Sequence, residues 1–121
     1  MRSEHEPNAP SPLTPAMFNV LLALADGDKH GYAVLKDVAE HTNGEVQLST
    51  GTLYGIIKRL LLDDLIVEVR NRTVTHSEDQ RRRYYHLTPR GREVAVAEAR
   101  RMQTLIARAR SKRLISGLKP A

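Results

Sequence analysis

The stretch Leu48–Ile66, LSTGTLYGIIKRLLLDDLI, decides the fold, because it predicts a capped amphipathic helix that runs into a strand. At about 100° of rotation per residue, its large aliphatic side chains fall on one side of a helix from Ser49 or Thr50 to about Asp63. A purely structural helix would more often carry alanine, glutamate and glutamine on the other side. That side instead presents Gly51, Tyr54, Gly55 and Lys58, with Thr52 and Arg59 at its edge.

The unusual face of this helix is suited to a DNA groove. A glycine in mid-helix, such as Gly55, costs about 0.5–1 kcal/mol relative to alanine, which close approach to another surface would offset. The first-turn hydroxyls and the helix N-terminus suit phosphates, and Tyr54 and Lys58 can reach phosphate, sugar or guanine. Two alternatives stay open: Gly55 makes room for a neighbouring helix, or Tyr54 belongs partly to the core. The predicted contacts are Ser49, Thr50, Gly51, Thr52, Tyr54 and Lys58.

Two helices are predicted before this stretch. Thr14-Pro15 is a start signal, with threonine as N-cap and proline at the first helical position, and residues 26–28 end that helix. The second helix begins near His30-Gly31 and runs to about Thr42, where Asn43-Gly44 supplies residues that tolerate a left-handed cap. The predicted inner faces are Phe18, Leu21, Leu22 and Ala25 in the first helix, and Tyr32, Leu35, Val38 and Ala39 in the second.

A hairpin and a long helix are predicted after this stretch. The β-prone residues 66–69 and 73–75, a polar loop and a second strand at 82–87 form the hairpin, and Thr88-Pro89 starts a helix that runs to roughly Arg113. This order predicts a mostly α protein with a small β-hairpin: a winged helix-turn-helix plus a long C-terminal dimerisation helix. The predicted divisions are a flexible tail at 1–12, the winged DNA-binding domain at 13–87, the dimerisation helix at 88–113 and a tail at 114–121.

The hairpin is strongly basic, with five arginines between Arg70 and His86 against two acidic residues. Because neighbouring side chains along a strand point to opposite faces, either Arg81 and Arg83 or Arg82 faces DNA. Arginine suits phosphates and a narrow minor groove, and we predict Arg81 and Arg83 as contacts. The alternative is a solvated hairpin whose charges prevent edge aggregation.

The last helix carries an apolar stripe, although the elements before it already complete a compact unit. Such a stripe predicts a second copy of the chain, and a two-fold dimer would place two third helices on one face of DNA. In the alternative, the helix folds back on the first helix, and both arrangements can hold for different parts of it. The stripe comprises Ala95, Ala99, Met102, Ile106 and Ala109.

Composition narrows the class of protein. The net charge is +5 and the pI about 9.9, which favours an anionic partner, nucleic acid before acidic lipid. The absence of cysteine fits a reducing cytoplasm, and no apolar run approaches the roughly 18 residues of a membrane span. No metal spacing, glycine-rich phosphate loop or activated nucleophile is present, so neither an enzyme nor a cofactor is predicted.

Three segments together resemble the PadR family of bacterial transcriptional regulators: HGYAVLKDV (30–38), LSTGTLYGIIKRLLLDDLI (48–66) and RRRYYHLTPRGRE (81–93). The resemblance implies a dimeric winged helix that binds a palindromic DNA operator, usually as a repressor, with release by a small-molecule effector in many relatives. It also implies DNA contacts for the third helix, for Tyr32 and for the arginines at 81–83 of the hairpin, which is the wing of such a fold. Where the family often has glycine after the recognition helix, this chain has Asp64, at an expected left-handed cap.

A second class of function competes with the repressor hypothesis. Winged helices also serve as protein-interaction modules without direct DNA readout, because a fold does not determine a function. Charge reversal at Arg81 and Arg83 would separate the two hypotheses, since a variant that kept its cellular role would favour the protein partner.

Overall fold

The computed structural model of the chain describes residues 13–70 and 83–116. Several sequence predictions therefore lie outside the described residues. They are the tail at 1–12, the strand continuation at 73–75, the wing loop with Arg81 and Arg82, and residues 117–121 of the C-terminal tail.

The described residues form four helices and a three-stranded antiparallel sheet, which confirms the mostly α fold class. The hairpin of β2 and β3 carries an additional two-residue strand, β1, in the order β1-β3-β2. Sequence patterning missed β1, because two residues are too few to show alternation. The elements are α1 (Pro15–Leu24), β1 (Lys29–His30), α2 (Gly31–His41), α3 (Thr50–Leu62), β2 (Ile66–Val69), β3 (Tyr84–Leu87) and α4 (Pro89–Ser111).

Each helix begins at a side chain that accepts a hydrogen bond from a backbone N–H three residues on. These bonds are 2.9–3.2 Å long and satisfy donors that the first helical turn leaves without a partner. The predicted starts at Thr14-Pro15, Ser49 and Thr88-Pro89 are confirmed. The cap of α2 is His30, whose Nδ1 accepts from Ala33.

Helix α1 lies at the centre of the molecule, packed against α2, α3, β3 and α4. The predicted inner face of α1 is partly wrong, because Leu22 is 49% exposed whereas Val20, Ala23 and Leu24 are buried. A helix that is covered on several sides buries residues all round, so a single stripe does not describe it. Phe18 is buried but lies outside the central core cluster, on the side facing α4.

The inner face of α2 also differs from the prediction at one important position. Val34 and Val38 are fully buried, and Leu35 packs at the edge of the core. Tyr32, placed by spacing on the inner stripe, is instead 62% exposed. Tyr32 lines a polar hollow beside α2 and β3 instead, whereas Gly31 and Val34 in the same turn are buried.

The junction of α3, β2 and α4 is tightly built. Asp64 adopts a left-handed backbone with φ 61°, as expected for the cap, and the next residue, Leu65, is buried. Thr88 binds both carbonyls here: its N–H donates to Leu65 O at 3.1 Å and its hydroxyl to Asp64 O at 2.7 Å. Gly91 then lies directly on the Leu65 carbonyl, where a Cβ would collide with the oxygen.

Helix α4 is attached to the core only at its beginning. Val94 and Ala95 pack against the core cluster. Further along, Leu105 and Ile106 are 45% and 46% exposed. Most side chains in the second half of the helix are thus exposed within the protomer.

No helix within residues 13–70 and 83–116 has the length and apolarity to cross a membrane. Over the same residues, histidine, aspartate and glutamate form no group that could hold a metal ion.

Candidate nucleic-acid interface

The outward face of α3 is as open as the sequence predicts. Gly51, Tyr54, Gly55 and Lys58 are all exposed, while Leu53 on the other side is fully buried. A Cβ built on Gly51 or Gly55 would meet no atom within 4 Å. Among residues 13–70 and 83–116, Gly55 therefore does not make room for a neighbouring helix, and no contact there compensates for a glycine in the middle of α3.

The first turn of α3 is organised by its own hydroxyl groups. Ser49 Oγ accepts from the Thr52 N–H at 3.1 Å and donates to Thr52 Oγ1 at 2.9 Å. Thr50 is exposed on the same turn. The capping role of Ser49 is thus observed, and the DNA contacts of Ser49, Thr50 and Thr52 remain predictions.

A polar hollow of about 350 Å³ lies beside this face, lined by His30, Gly31, Tyr32, Tyr54 and Arg83. Three predicted DNA contacts from distant parts of the sequence therefore meet in one place. The hollow exists because β1 pairs with β3, which sets His30 opposite Tyr84 and next to Arg83. A short contact between His86 Nδ1 and Asp28 Oδ1, at 2.6 Å, ties β3 to the residues before β1.

The absence of a side chain at Gly31 leaves the space that the Tyr54 phenol occupies. A Cβ on Gly31 would collide with the Tyr54 hydroxyl and lie 2.9 Å from Tyr54 Cζ. The Tyr54 phenol therefore packs against the first turn of α2, and the residue as a whole is 46% exposed. Tyr54 is neither a core residue nor a freely rotating surface residue, which answers the alternative left open by the sequence.

Charge in the hollow comes from the wing, the hairpin of β2 and β3. Arg83 has a side chain that is 72% exposed, and its Nε lies 3.8 Å from Glu68 Oε2. Such an exposed, long ion pair contributes little energy, so the guanidinium can turn to a stronger anion. In β3, burial raises the pKa of the Tyr85 phenol.

Sequence reasoning missed His30 and Gly31 as lining residues. The sequence predicts a helix start at both residues, which the structure has, and histidine is not among the usual N-cap residues. The signal that could have found them is the HGY segment itself, which lies at a predicted helix N-terminus.

The apolar stripe on α4 faces an open groove toward α1. This α1–α4 groove has a volume of about 470 Å³ and is lined by Phe18, Ala99, Met102, Gln103, Ile106 and Arg110. Of the predicted dimerisation residues, Ala95 packs on the core, Met102 and Ala109 are half-buried, and Ala99 and Ile106 are exposed. The alternative in which α4 packs against its own chain thus holds for the beginning of the helix. The dimer contact of the later part remains a prediction.

The sequence of the chain is similar to that of a protein from a bacterial transposon. An uncharacterized 37.1 kDa protein from a transposon of Streptomyces fradiae is 39% identical over 93 residues, a match that covers 77% of this chain. The match covers 24% of that protein, so the chain spans about a quarter of the length of this relative.

Solved structures share the fold. A PadR family transcription regulator from Clostridium difficile matches with a TM-score of 0.65 and 24% identity, over 82% of this chain and 97% of that one. Bacillus subtilis PadR in complex with operator DNA matches with a TM-score of 0.62 and 17% identity, over 74% of this chain and 48% of that one.

A third structure concerns the regulation of DNA binding of Bordetella bronchiseptica BpsR by 6-hydroxynicotinic acid. It matches with a TM-score of 0.60 and 28% identity, over 91% of this chain and 66% of that one.

The family assignment rests on a match to a whole-family model. The model is that of the transcriptional regulator PadR-like family, and it matches residues 20–97, more than half of the chain. The resemblance first indicated by three short segments is confirmed, and this chain belongs to the PadR-like family of transcriptional regulators rather than to a family of enzymes.

Proposed function

We propose that the protein is a dimeric repressor that binds a palindromic operator in double-stranded DNA through α3 and the wing. The observation that carries this proposal is the open, glycine-containing face of α3 beside a hollow that gathers Tyr32, Tyr54 and Arg83. A related fold has been solved with operator DNA, which supports the same use of these surfaces.

Each element has a distinct role in the proposed complex. The first turn of α3, with Thr50 and Gly51, offers backbone N–H groups and a hydroxyl to a phosphate. The polar hollow holds a second stretch of DNA backbone through Tyr32, Tyr54 and Arg83. Arg81 is a further predicted DNA contact. Lys58 projects from the middle of the open face and reaches a guanine edge or a phosphate.

The palindrome follows from the proposed dimer. Two copies joined along α4 through a two-fold axis present two α3 helices to half-sites about one helical turn, roughly 34–36 Å, apart. Occupation of promoter DNA by this dimer blocks polymerase and requires no chemistry on the DNA.

We also propose that a small-molecule effector acts at the α1–α4 groove. Apolar walls from Phe18, Met102 and Ile106 and one guanidinium from Arg110 suit a small apolar anion. Regulation of DNA binding by 6-hydroxynicotinic acid in BpsR supports an effector of this chemical kind. A ligand in this groove would alter the spacing of α1 and α4, and with it the spacing of the two α3 helices.

Replacing Lys58 with alanine should weaken operator binding. We expect a loss of roughly 1–3 kcal/mol if Lys58 reads a base, or a salt dependence that is lower by about one unit if it contacts a phosphate. Fluorescence anisotropy on the DNA upstream of the gene, or on duplexes selected from a random pool, measures both quantities between 50 and 200 mM salt.

Lys112→Ala is the matched control, because it removes the same charge at the far end of α4 and should leave affinity unchanged. The wild-type protein should lose about 10³–10⁵-fold in affinity over this salt range if it makes six to ten phosphate contacts. A flat salt response, or equal behaviour of the two variants, would contradict the proposal and favour the protein-interaction module instead.

Gly55→Ala should act in opposite directions on stability and on DNA binding. We expect the free energy of unfolding to rise by about 0.5–1 kcal/mol, since alanine is the better helix former and the site is open. The added methyl group should hold α3 away from the groove floor and lower operator affinity by roughly 5- to 100-fold. Urea denaturation and anisotropy measure the two effects.

The reverse substitution Ala97→Gly, at an exposed position of α4, is the control for the stability effect. It should lower stability by a similar amount and leave affinity unchanged. An alanine at position 55 that stabilises the fold without weakening DNA binding would show that this face of α3 does not approach DNA closely.

A further inference from the structure

Leu62, the last residue of α3, is far more exposed than the two leucines that precede it in the chain. Its relative exposure is 72%, against 0% for Leu60 in the same turn. A single exposed leucine is unremarkable by itself on a protein surface. Its position on the helix is what gives it meaning.

Leu62 lies on the same line of the helix as the proposed DNA contacts. With about 100° of rotation per residue, Gly51, Gly55, Lys58 and Leu62 fall within about 60° of one another. We call these four residues the outward stripe of α3. Leu62 stands one turn beyond Lys58, roughly 6 Å along the axis.

Some of the other exposed apolar side chains of the described residues belong to surfaces already assigned. Tyr32 and Tyr54 line the polar hollow, and Ile106 lines the α1–α4 groove. Leu62 lies outside the core cluster and its packed neighbours. Arg59, beside it, is held by Asp63 at 3.2 Å, so the side of α3 next to the stripe is polar.

The chemistry of the stripe indicates what Leu62 contacts. Gly51 and Gly55 have no side chains, so the backbone of α3 is uncovered there. The side chains of Lys58 and Leu62 therefore protrude furthest toward any surface that the stripe approaches. The major groove presents one apolar group on base edges, the 5-methyl group of thymine, and aliphatic side chains are its usual partners. We propose that Leu62 contacts a thymine methyl group in the operator and thereby helps to select the sequence, an inference that rests on the proposed DNA contact of α3.

Replacement of thymine by deoxyuridine tests this contact, because it removes only the methyl group. Each thymine of the half-site is replaced in turn in both halves of the operator, and affinity is measured by anisotropy. The wild-type protein should lose about fourfold per half-site at one or two positions, the value for burial of one methyl group. Leu62→Ala should bind the thymine and deoxyuridine operators equally, and Leu62→Met should retain part of the discrimination.

Leu114→Ala is the matched control, since Leu114 is equally exposed at 76% but lies beyond the end of α4. Discrimination that persists unchanged in Leu62→Ala would overturn the inference, as would a wild-type protein indifferent to every methyl group. Lys58→Ala distinguishes failure of the proposed function from failure of the Leu62 contact. If it weakens binding while Leu62→Ala changes nothing, the proposed function stands and the role of Leu62 falls; if no duplex is bound, both fall.

Discussion

Replacing Ile106 with aspartate should convert the proposed dimer into a monomer and lower operator affinity by about 10²–10⁴-fold. The loss is large because each α3 helix alone reaches only half of a palindrome. When two copies are joined, binding of the second half-site becomes intramolecular, and that gain disappears in the monomer.

The physical basis lies in the second half of α4. Ile106 is 46% exposed within the protomer and lines the α1–α4 groove together with Met102. Leu22, 49% exposed, extends the same apolar side of α1 one turn beyond Phe18. A carboxylate placed in the middle of such a surface must be desolvated without a partner on association, which costs far more than the interface gains from one side chain.

Sedimentation velocity measures the association state, and anisotropy on full and half operators measures binding. Thr104→Asp is the control, because it adds the same charge to the opposite, exposed side of α4 and should change neither quantity. A monomeric Ile106→Asp variant should bind a half operator as well as the wild-type protein does. An Ile106→Asp variant that remains dimeric would show that α4 does not form the interface.

Gly91→Ala should lower the free energy of unfolding by roughly 3 kcal/mol, at the upper end of the range for overpacking. In a domain of this size, that corresponds to a fall of more than about 10 °C in Tm. Glycine to alanine in a helix ordinarily stabilises, so the sign of this prediction depends entirely on the tertiary contact.

The contact is between backbone atoms, which cannot move aside as a flexible side chain can. A Cβ on Gly91 would collide with the Leu65 carbonyl oxygen and lie 2.8 Å from Leu87 Cδ1. The Leu65 carbonyl also accepts the Thr88 N–H at 3.1 Å, so withdrawal of the oxygen would break the bond that fixes the start of α4. Leu65 itself is 2% exposed, and its displacement would open the core.

Thermal and urea denaturation measure this effect. Gly51→Ala is a close control, because Gly51 also lies in the first turn of a helix, yet its Cβ would meet no atom within 4 Å. Gly51→Ala should leave stability unchanged or slightly raised. Equal stabilities of the two variants would mean that the start of α4 shifts freely and that the Leu65–Gly91 contact is unimportant.

Local signals in the sequence predicted most of the fold, because those signals act through neighbouring atoms. Threonine hydroxyls at positions 14 and 88 cap the helices that follow them, and Asn43 and Asp64 adopt the left-handed backbone expected of their caps. The aliphatic side of α3 is buried as its spacing predicts. Each of these features is complete within about one turn of the chain.

Features that depend on distant partners were not visible in the same way. Strand β1 consists of two residues and exists only through its pairing with β3, more than fifty residues later. Spacing placed Leu22 and Tyr32 inside, but a helix face is buried only if another element covers it. Both are exposed, and Tyr32 lines the polar hollow.

The amino-acid sequence by itself determined where the helices begin and end, which side of α3 is apolar, and that the other side is unusual enough to suggest DNA. Only the tertiary structure decided that Tyr32, Tyr54 and Arg83 share one hollow, that Gly55 has open space around it and that Gly91 has none. The physical reason is range: capping and periodicity are properties of a few successive residues, whereas the space around a side chain is set by elements that the chain brings back from far away.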